Sequence, residues 1–312
     1  MSLIEVRDLR VSFRGRQVVA GVDYSVAPGR TLGVVGESGC GKSMTALALM
    51  GLVPTPGVVS GSVLFKGREL LTQSKSEWRA LRGHDIAMVF QEPMTALNPV
   101  MPVGHQIAEV LVLHRDASWQ AGEAEAVRLL DAVGIPSPRE RAANFPHQMS
   151  GGMRQRAMIA MALACEPALL VADEPTTALD VTIQAQILDL MQDLQDRIGM
   201  AIQFISHNLA VISEIAHEII VMYAGKVVER AEASALFANP LHPYTRGLIA
   251  TLPNPDHRVD RLPVITGGVP DLDHIQGCRF ADRCPLADAG CRQAEPETVE
   301  HAPGHFAACF KL

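Results

Sequence analysis

Residues 36–43 read Gly-Glu-Ser-Gly-Cys-Gly-Lys-Ser, a spacing that suits the binding of phosphate groups. Glycines let backbone N–H groups converge on phosphate oxygens, and a helix that begins after them directs its positive end to the same point. Lys42 would reach the terminal phosphates of a nucleotide, and the Ser43 hydroxyl would ligate Mg²⁺. The remaining candidate phosphate contacts of this segment, here called the phosphate loop, are Gly36, Ser38, Gly39, Cys40, Gly41 and Met44.

A pair of acids follows an apolar run further along the chain. Residues 169–172 read Leu-Leu-Val-Ala, and Asp173 and Glu174 come directly after them. Asp173 suits a water-mediated contact with Mg²⁺, and Glu174 could act as the general base that polarises an attacking water. Taken alone, such a pair is more often a solvated turn. The phosphate loop upstream favours the catalytic interpretation, in which a bound nucleotide is hydrolysed.

The elements that would position these residues alternate between strands and helices. Apolar, strand-like runs occupy residues 3–7, 18–20, 31–35, 169–172 and 201–205, and residues 218–229 resemble a hairpin. Helical periodicity dominates between about residues 100 and 150. This alternation predicts an α/β fold with a largely parallel sheet covered by helices. After about residue 235 the chain is rich in Pro, His, Asp and Gly and shows little helical or strand periodicity.

Composition limits the classes of function. The chain has 312 residues, 48% of them hydrophobic, and its 27 basic and 34 acidic residues give a net charge of −7. This balance argues against a nucleic-acid partner. No apolar run reaches 18 residues, and the N-terminus lacks the apolar core of a signal peptide. We therefore expect a cytosolic chain whose membrane role, if any, is exerted through partners.

Five further motifs, in the expected order, resemble those of the ATP-binding-cassette (ABC) ATPases. Residues 149–156, Met-Ser-Gly-Gly-Met-Arg-Gln-Arg, resemble the ABC signature sequence. Residues 90–93 look like the Q-loop, residues 178–180 look like the D-loop, His207 looks like the switch histidine, and Phe13 occupies the place of an aromatic that stacks on adenine. The resemblance implies a P-loop ABC nucleotide-binding domain over residues 1–235. Its parts would be a RecA-like core, an antiparallel β subdomain and a helical subdomain at about 93–155.

The resemblance also implies roles for single residues. Gln91 would contact Mg²⁺ or water, and His207 would contact the γ-phosphate. The signature would bind the γ-phosphate of ATP held by a second cassette in a head-to-tail dimer. Each residue also has a simpler interpretation: Ser150 could cap a helix, His207 could be an ordinary surface or core histidine, and Phe13 could be part of the core. The signature residues that would contact this γ-phosphate are Ser150, Gly151 and Gly152. The resemblance also places Asp180 among the nucleotide-binding residues.

Two departures from the family pattern affect these motifs. Met149 and Met153 replace the usual Leu and the usual Gln or Glu at the ends of the signature, which we expect to tune the contact without removing it. Cys40 stands in the phosphate loop where Ser is common. Because a helix N-terminus lowers the pKa of a thiol, we expect Cys40 to be sensitive to thiol reagents.

Two blocks resemble a narrower group, the binding-protein-dependent importers of dipeptides, oligopeptides and nickel. They are residues 90–99, Phe-Gln-Glu-Pro-Met-Thr-Ala-Leu-Asn-Pro, and residues 239–248, Asn-Pro-Leu-His-Pro-Tyr-Thr-Arg-Gly-Leu. The resemblance implies an ATP-hydrolysing subunit at the cytoplasmic face of a bacterial inner membrane. Its partners would be a second, related ATPase in a heterodimer, two permeases and an extracytoplasmic solute-binding protein. Di- or oligopeptides are the expected solute; nickel chelates or another small solute, or a soluble ABC ATPase without a transport role, are the alternatives.

Four cysteines lie in the extension formed by residues 236–312. Their spacing is C-x5-C-x6-C-x17-C, and four thiolates can hold either Zn²⁺ or an iron–sulfur cluster. Residues 277–285 resemble the tail of peptide-importer ATPases that carry a [4Fe–4S] cluster, so the resemblance implies the cluster. These candidate ligands are Cys278, Cys284, Cys291 and Cys309. Cys165, in an apolar helix-like run, is expected to be a small buried hydrophobe.

Overall fold

The computed structural model describes residues 2–92, 96–176, 179–252, 263–271 and 275–312. The chain forms two compact units. The first comprises Met1–Val26, Thr31–Leu71 and Phe204–Leu312, and the second comprises Ala27–Arg30 and Thr72–Gln203. None of the helices in the described ranges combines the length and the apolar character that crossing a bilayer would require.

The strands alternate with helices through much of the chain. The strands are β1 (Ile4–Phe13), β2 (Arg16–Val26), β3 (Thr31–Val35), β4 (Gly57–Phe65), β5 (Arg68–Glu69), β6 (Ile86–Val89), β7 (Leu169–Asp173), β8 (Ala201–Ser206), β9 (Glu218–Tyr223), β10 (Lys226–Glu232), β11 (Val299–Ala302) and β12 (His305–Ala307). The helices are α1 (Lys42–Leu49), α2 (Lys75–Leu81), α3 (Val103–Arg115), α4 (Trp119–Ala132), α5 (Pro138–Ala142), α6 (Gly151–Leu163), α7 (Val181–Ile198), α8 (Leu209–Ile215), α9 (Ala233–Ala238) and α10 (Pro243–Ala250). Strand β8 begins in the second unit and ends in the first.

The first unit contains an antiparallel sheet of four strands in the order β2-β1-β4-β5. Strand β1 pairs with β2 and β4, so that Ile4 lies opposite both Val26 and Phe65. Buried apolar side chains recur along β1, with Ile4, Val6, Leu9 and Val11 all at most 1% exposed. This recurrence is the pattern of a strand with one face on a core.

The same unit also contains the strand that leads into the phosphate loop. Strand β3 pairs in parallel with β9, β9 pairs with β10 antiparallel, and β12 and β11 continue the antiparallel order. All five residues of β3 are buried, which explains its continuous apolar sequence. The predicted strand over 31–35 and the predicted hairpin over 218–229 are confirmed.

The extension after residue 235 contains short helices and strands that the periodicity of its sequence does not show. Helices α9 and α10 and the β11–β12 hairpin all lie at or beyond this boundary. These elements are short and are held by specific contacts with the rest of the unit, which local periodicity does not reveal.

A buried glutamate supplies one such contact. Glu229 of β10 is fully buried, and its carboxylate accepts hydrogen bonds from the Leu241 and His242 N–H groups at 2.7 and 2.8 Å. Its Oε1 also lies 2.7 Å from Nε2 of His305 in β12. One side chain thus joins β10 to the start of α10 and to the C-terminal hairpin.

The second unit combines parallel strands with a group of helices. Strands β6 and β7 pair in parallel, with Ile86 opposite Leu169. Helix α4 packs on α3, and α6 packs on both α3 and α4. The predicted helices near 107–111 and 124–130 are confirmed within α3 and α4. Cys165 is 3% exposed, as expected for a small buried hydrophobe.

Candidate functional site

The phosphate loop connects β3 to α1, which is the order that its sequence predicts. Gly36 has φ +155°, and a Cβ there would lie 2.2 Å from the Met222 carbonyl oxygen. Gly41 is the N-cap of α1 with φ +103°, and a Cβ there would lie 2.9 Å from the Val18 carbonyl oxygen. The loop can therefore approach neighbouring backbone only with glycine at these positions.

Lys42 is the first residue of α1 and is 5% exposed. Its Nζ donates to the carbonyl oxygens of Gly36 at 2.7 Å and Glu37 at 3.1 Å. These bonds hold the ammonium group within the phosphate loop. Ser43 and Met44 follow in the first turn of α1, where backbone N–H groups point outward from the helix N-terminus. The loop thus concentrates a charged amine and a helix N-terminus at one place.

Cys40 behaves differently from the sequence expectation. Its side chain is buried, with 1% of its surface exposed. Burial raises the pKa of the Cys40 thiol, and this effect outweighs the lowering of the pKa by Lys42. The structure therefore contradicts the lowered thiol pKa on which the predicted sensitivity to thiol reagents rests.

The acidic pair stands at the end of β7, as predicted. Asp173 is the last residue of the strand and is 5% exposed. Glu174 follows with φ +48°, a left-handed conformation that is uncommon for a residue other than glycine and that often marks functional sites. Gln91 donates from Nε2 to Glu174 Oε2 at 3.2 Å. The structure thus brings together the predicted Q-loop glutamine and the predicted general base. The bond uses the amide nitrogen of the Gln91 side chain, and the side-chain carbonyl oxygen is the atom that could ligate a metal ion.

The signature serine begins a helix. Ser150 is the N-cap of α6, and its hydroxyl accepts a hydrogen bond from the Met153 N–H at 3.3 Å. Gly151 is exposed, and a Cβ there would meet nothing within 4 Å. The capping interpretation is therefore confirmed. A phosphate contact by Ser150, Gly151 and Gly152 stays a prediction, and it requires the open N-terminus that α6 presents.

The remaining predicted residues occupy loops and strand ends. Asp180 is the N-cap of α7 and accepts from the Ile183 N–H at 2.9 Å. His207 is exposed and directly follows β8. Phe13 is the half-buried last residue of β1. Pro93 of the predicted Q-loop and Ala178 of the predicted D-loop lie outside the described residues.

Two residues that contact the phosphate loop were missed by the sequence interpretation. Arg283 forms a two-pronged ion pair with Glu37, from Nη1 to Oε2 at 2.7 Å and from Nη2 to Oε1 at 2.9 Å. The Tyr244 hydroxyl accepts from the Glu37 N–H at 2.9 Å. Tyr244 and Arg283 each lie within a segment already singled out for its resemblance, but a sequence separation of more than 200 residues hides their contact with Glu37.

Three of the four cysteines of the extension, Cys278, Cys284 and Cys291, are linked by backbone hydrogen bonds. The Cys278 N–H donates to the Cys291 carbonyl at 2.7 Å, and a turn links Cys278 through Ala281 to Cys284. Burial raises the pKa of the Cys278 thiol, and the other three cysteine thiols raise it further. Over the part of the chain that the structure describes, no three or more His, Cys, Asp or Glu side chains are grouped as a single metal ion would require.

Comparisons with known proteins agree with the arrangement of motifs. A family model described as "ABC transporter" matches residues 19–177, and one described as "Oligopeptide/dipeptide transporter, C-terminal region" matches residues 228–291. The chain is 53% identical to a probable peptide ABC transporter ATP-binding protein, y4tR, of Sinorhizobium fredii, over 99% of this chain and 95% of that protein. It is 46% identical to the oligopeptide transport ATP-binding protein AppD of Bacillus subtilis, over 99% of this chain and 96% of AppD.

A solved structure resembles the cassette part. The ATP-binding cassette MJ0796, in a dimeric post-hydrolysis state bound to ADP and Pi, superimposes with a TM-score of 0.67 at 25% identity. The match covers 74% of this chain and 98% of MJ0796. The predicted α/β cassette fold is therefore confirmed. The chain belongs to the ABC transporter family of ATPases, and it carries the C-terminal region of the oligopeptide/dipeptide branch.

Proposed function

We propose that this chain is the ATP-hydrolysing subunit of a bacterial importer of di- or oligopeptides. The observation that carries the proposal is the presence, in one chain, of a cassette over residues 19–177 and of an oligopeptide/dipeptide transporter C-terminal region over residues 228–291. Relatives that carry peptide-transport names align over almost their whole length. The domain division that we propose is a cassette at 1–235, with a helical subdomain at about 93–155, and an extension at 236–312.

The phosphate loop is the proposed binding site for the phosphates of ATP. Lys42 supplies positive charge, and the backbone N–H groups of the loop and of the first turn of α1 surround the phosphate oxygens. The Ser43 hydroxyl and the Gln91 carbonyl oxygen are of the hard oxygen type that Mg²⁺ prefers, so both residues fit a role in holding the ion. When bound, Mg²⁺ would neutralise charge that develops on the transferred phosphoryl group.

Glu174 is the proposed general base. Its side chain is half-buried and oriented by the hydrogen bond from Gln91, so that it can accept a proton from a water that attacks the γ-phosphate. His207 would donate a hydrogen bond to the γ-phosphate as negative charge develops there, Phe13 would stack on adenine, and Asp173 would contact Mg²⁺ through water. None of these steps requires a covalent intermediate on the protein.

The proposed assembly contains two cassettes and a membrane part. Ser150, Gly151, Gly152 and Asp180 would act on ATP bound to a second, related ATPase, which would in turn complete the site of this chain. Two permeases would convert cassette closure into solute movement, and a solute-binding protein outside the membrane would choose the solute. This chain would then be a peripheral protein of the cytoplasmic face of the inner membrane.

Purification of the tagged chain from native membranes in mild detergent tests this assembly. Mass spectrometry should detect two multi-spanning permeases and a second cassette ATPase in near-equal amounts with this chain. A Lys42→Ala variant serves as a control, because it should co-purify with the same partners while failing to bind ATP. Recovery of the chain alone, or together with nucleic acid or ribosomes, would overturn the transport proposal. A nickel importer would be recognised in a separate assay, by stimulation of its ATP hydrolysis in the presence of nickel.

We further propose that the four cysteines hold a [4Fe–4S] cluster and not a zinc ion. Zinc also takes four thiolates in a tetrahedral site, so zinc is the alternative that the test must distinguish. A [4Fe–4S] cluster takes four cysteine thiolates, which is the number of cysteines in this extension. The mutual influence of the thiols on the pKa of Cys278 and of Cys309 supports such a set.

Hydrogen bonds and an ion pair connect Cys291 with Cys309. Asp288 accepts a hydrogen bond from the Cys291 N–H at 3.0 Å and forms an ion pair with Lys311, whose N–H donates to the Cys309 sulfur at 3.4 Å. Anaerobic purification followed by elemental analysis tests the proposal, with about four iron atoms per chain expected. Loss of iron from a Cys284→Ser variant, and not from Cys165→Ser, would support it. Stoichiometric zinc with no iron would overturn it.

A further inference from the structure

Arg283 is nearly buried, and its guanidinium lies against the phosphate loop. It belongs to the segment that carries Cys278, Cys284 and Cys291, here called the cysteine segment. Its side chain is 6% exposed, although the residue lies directly before Cys284 in a surface extension. Besides the ion pair with Glu37, it donates from Nε to the Thr266 carbonyl at 2.9 Å and from Nη1 to the Tyr223 hydroxyl at 3.3 Å. A two-pronged pair with further bonds to fixed partners leaves the guanidinium little freedom.

Aromatic rings hold this arginine in position. Tyr223, Tyr244 and Phe280 form a cluster with ring centroids 4.7 to 5.4 Å apart. The three side chains are at most 3% exposed. The Arg283 guanidinium lies 5.7 Å from the Tyr223 ring centroid, within reach of a cation–π contact. The cluster therefore connects residues 239–248 with the cysteine segment. Each of these two segments contacts Glu37, through Tyr244 and Arg283 respectively.

The extension contacts both the side chain and the backbone of Glu37. Its carboxylate pairs with Arg283, and its backbone N–H donates to the Tyr244 hydroxyl at 2.9 Å. Its carbonyl oxygen accepts from Lys42 Nζ at 3.1 Å, so the same residue contacts the principal phosphate-binding lysine. Without Arg283, the Glu37 carboxylate would lose this ion pair. Because Glu37 lies in the phosphate loop, two residues after the end of β3, its negative charge would then repel the phosphates of a bound nucleotide.

A second contact fixes the other side of the loop. Arg279, directly after Cys278, donates from Nη1 to the Ala224 carbonyl at 2.5 Å. The next residue after Ala224, Gly225, donates its N–H to the Cys40 carbonyl at 2.9 Å. Arginines beside the first two cysteines thus contact the loop at Glu37 directly and at Cys40 through the β9–β10 turn. The extension supports the loop at both of these residues.

We propose that Arg283 and Tyr244 are positioning residues for ATP binding, through which the C-terminal extension sets the affinity of the phosphate loop for ATP. Arg283 acts by neutralising and orienting Glu37, and Tyr244 acts by fixing the Glu37 backbone. The inference rests on the proposed role of the phosphate loop in binding ATP. It assigns to the extension an effect on the nucleotide site that is separate from any contact with permeases.

A double-mutant cycle on the full-length chain tests this proposal. We expect Arg283→Gln to weaken the binding of a fluorescent ATP analogue about five- to tenfold, within the range usual for coupled sites. In a Glu37→Gln background the same substitution should change the dissociation constant by less than about twofold, because the charge it compensates is gone. Tyr244→Phe, which keeps the ring and removes the hydroxyl, should weaken binding severalfold, and Arg283→Lys should recover part of the loss by restoring the charge.

Kinetics and controls separate positioning from folding. In the assembled transporter, Arg283→Gln should raise KM for ATP while kcat at saturating ATP stays within about twofold, since Arg283 is not proposed to touch the reacting atoms. Arg292→Gln is the matched control: it lies in the same segment, pairs with Asp282 and is 55% exposed. It should leave KM unchanged. All variants are compared well below their melting temperatures, measured in parallel.

The outcomes distinguish this proposal from the proposed function. If Lys42→Ala abolishes ATP binding but Arg283→Gln leaves both the dissociation constant and KM unchanged, the positioning role is overturned while the ATP site stands. Equal effects of Arg283→Gln in the unaltered chain and in the Glu37→Gln background would also overturn it. If Lys42→Ala binds ATP normally, the proposed ATP site itself fails.

Discussion

Removal of the Glu229 carboxylate should open the C-terminal extension locally. Glu229 is fully buried and accepts from two backbone N–H groups, those of Leu241 and His242, while also contacting His305. A Glu229→Ala substitution leaves both N–H groups and the imidazole without this acceptor. Each unsatisfied buried donor costs about 1–3 kcal/mol, so the two N–H groups and the imidazole together should cost about 3–5 kcal/mol.

Native-state hydrogen exchange measures this change at the affected amides. A loss of about 3–5 kcal/mol in the free energy of local opening corresponds to roughly two to four orders of magnitude in the protection of the Leu241 and His242 amides. Mass spectrometry of peptides that cover residues 238–250 and 303–309 resolves the effect. Glu229→Gln, which keeps one acceptor oxygen, should give a smaller loss of protection.

The matched control is Glu297→Ala, an exposed glutamate of the same extension. Surface substitutions of this kind usually change stability by less than about 0.5 kcal/mol, so exchange in both peptides should stay as in the unaltered chain. Protection in Glu229→Ala that is indistinguishable from that in Glu297→Ala would refute the argument that Glu229 holds the extension together.

Two further predictions follow from burial. Burial lowers the pKa of His242 to about 4 from an ordinary 6.5, and its Nδ1 accepts from the Tyr244 N–H at 3.1 Å. As the pH falls, the unfolded chain therefore binds a proton at His242 before the folded chain does. The contribution of His242 to the free energy of unfolding is complete above pH 6.5 and should fall by about 3 kcal/mol as the pH drops to 4. His242→Gln should flatten this part of a denaturation-versus-pH profile, and an unchanged slope would contradict the assignment. Cys40, buried and with a raised thiol pKa, should be alkylated by iodoacetamide far more slowly in the folded chain than in urea; mass spectrometry that finds equal rates would show that the thiol is accessible.

Local patterns were sufficient where function depends on adjacent residues. The phosphate loop, the acidic end of β7 and the Ser150 helix start each follow from a short run of residue types, because a strand end and a helix start are set by neighbours in sequence. The same reasoning failed for Cys40, since the sequence shows the helix N-terminus but not the burial that dominates the thiol pKa.

Contacts between distant segments were beyond local reasoning. Arg283 and Glu37 are 246 residues apart, and Glu229 and His305 are 76 apart. Neither pair produces a periodic signal, because a single ion pair or buried carboxylate depends on how segments meet in space. The short elements of the extension were missed for the same reason: α9, α10 and β12 are fixed by contacts such as those of Glu229 and not by their own propensity.

Single-turnover measurements on Glu174→Gln in the assembled transporter test whether this chain hydrolyses ATP with Glu174 as the general base. The substitution keeps the size of the side chain and removes its ability to take a proton. We predict that ATP binding persists and that hydrolysis at this chain's site falls by a factor of about 10²–10⁴, the usual contribution of a general base. Hydrolysis at the rate of the unaltered chain would show that Glu174 is not the general base.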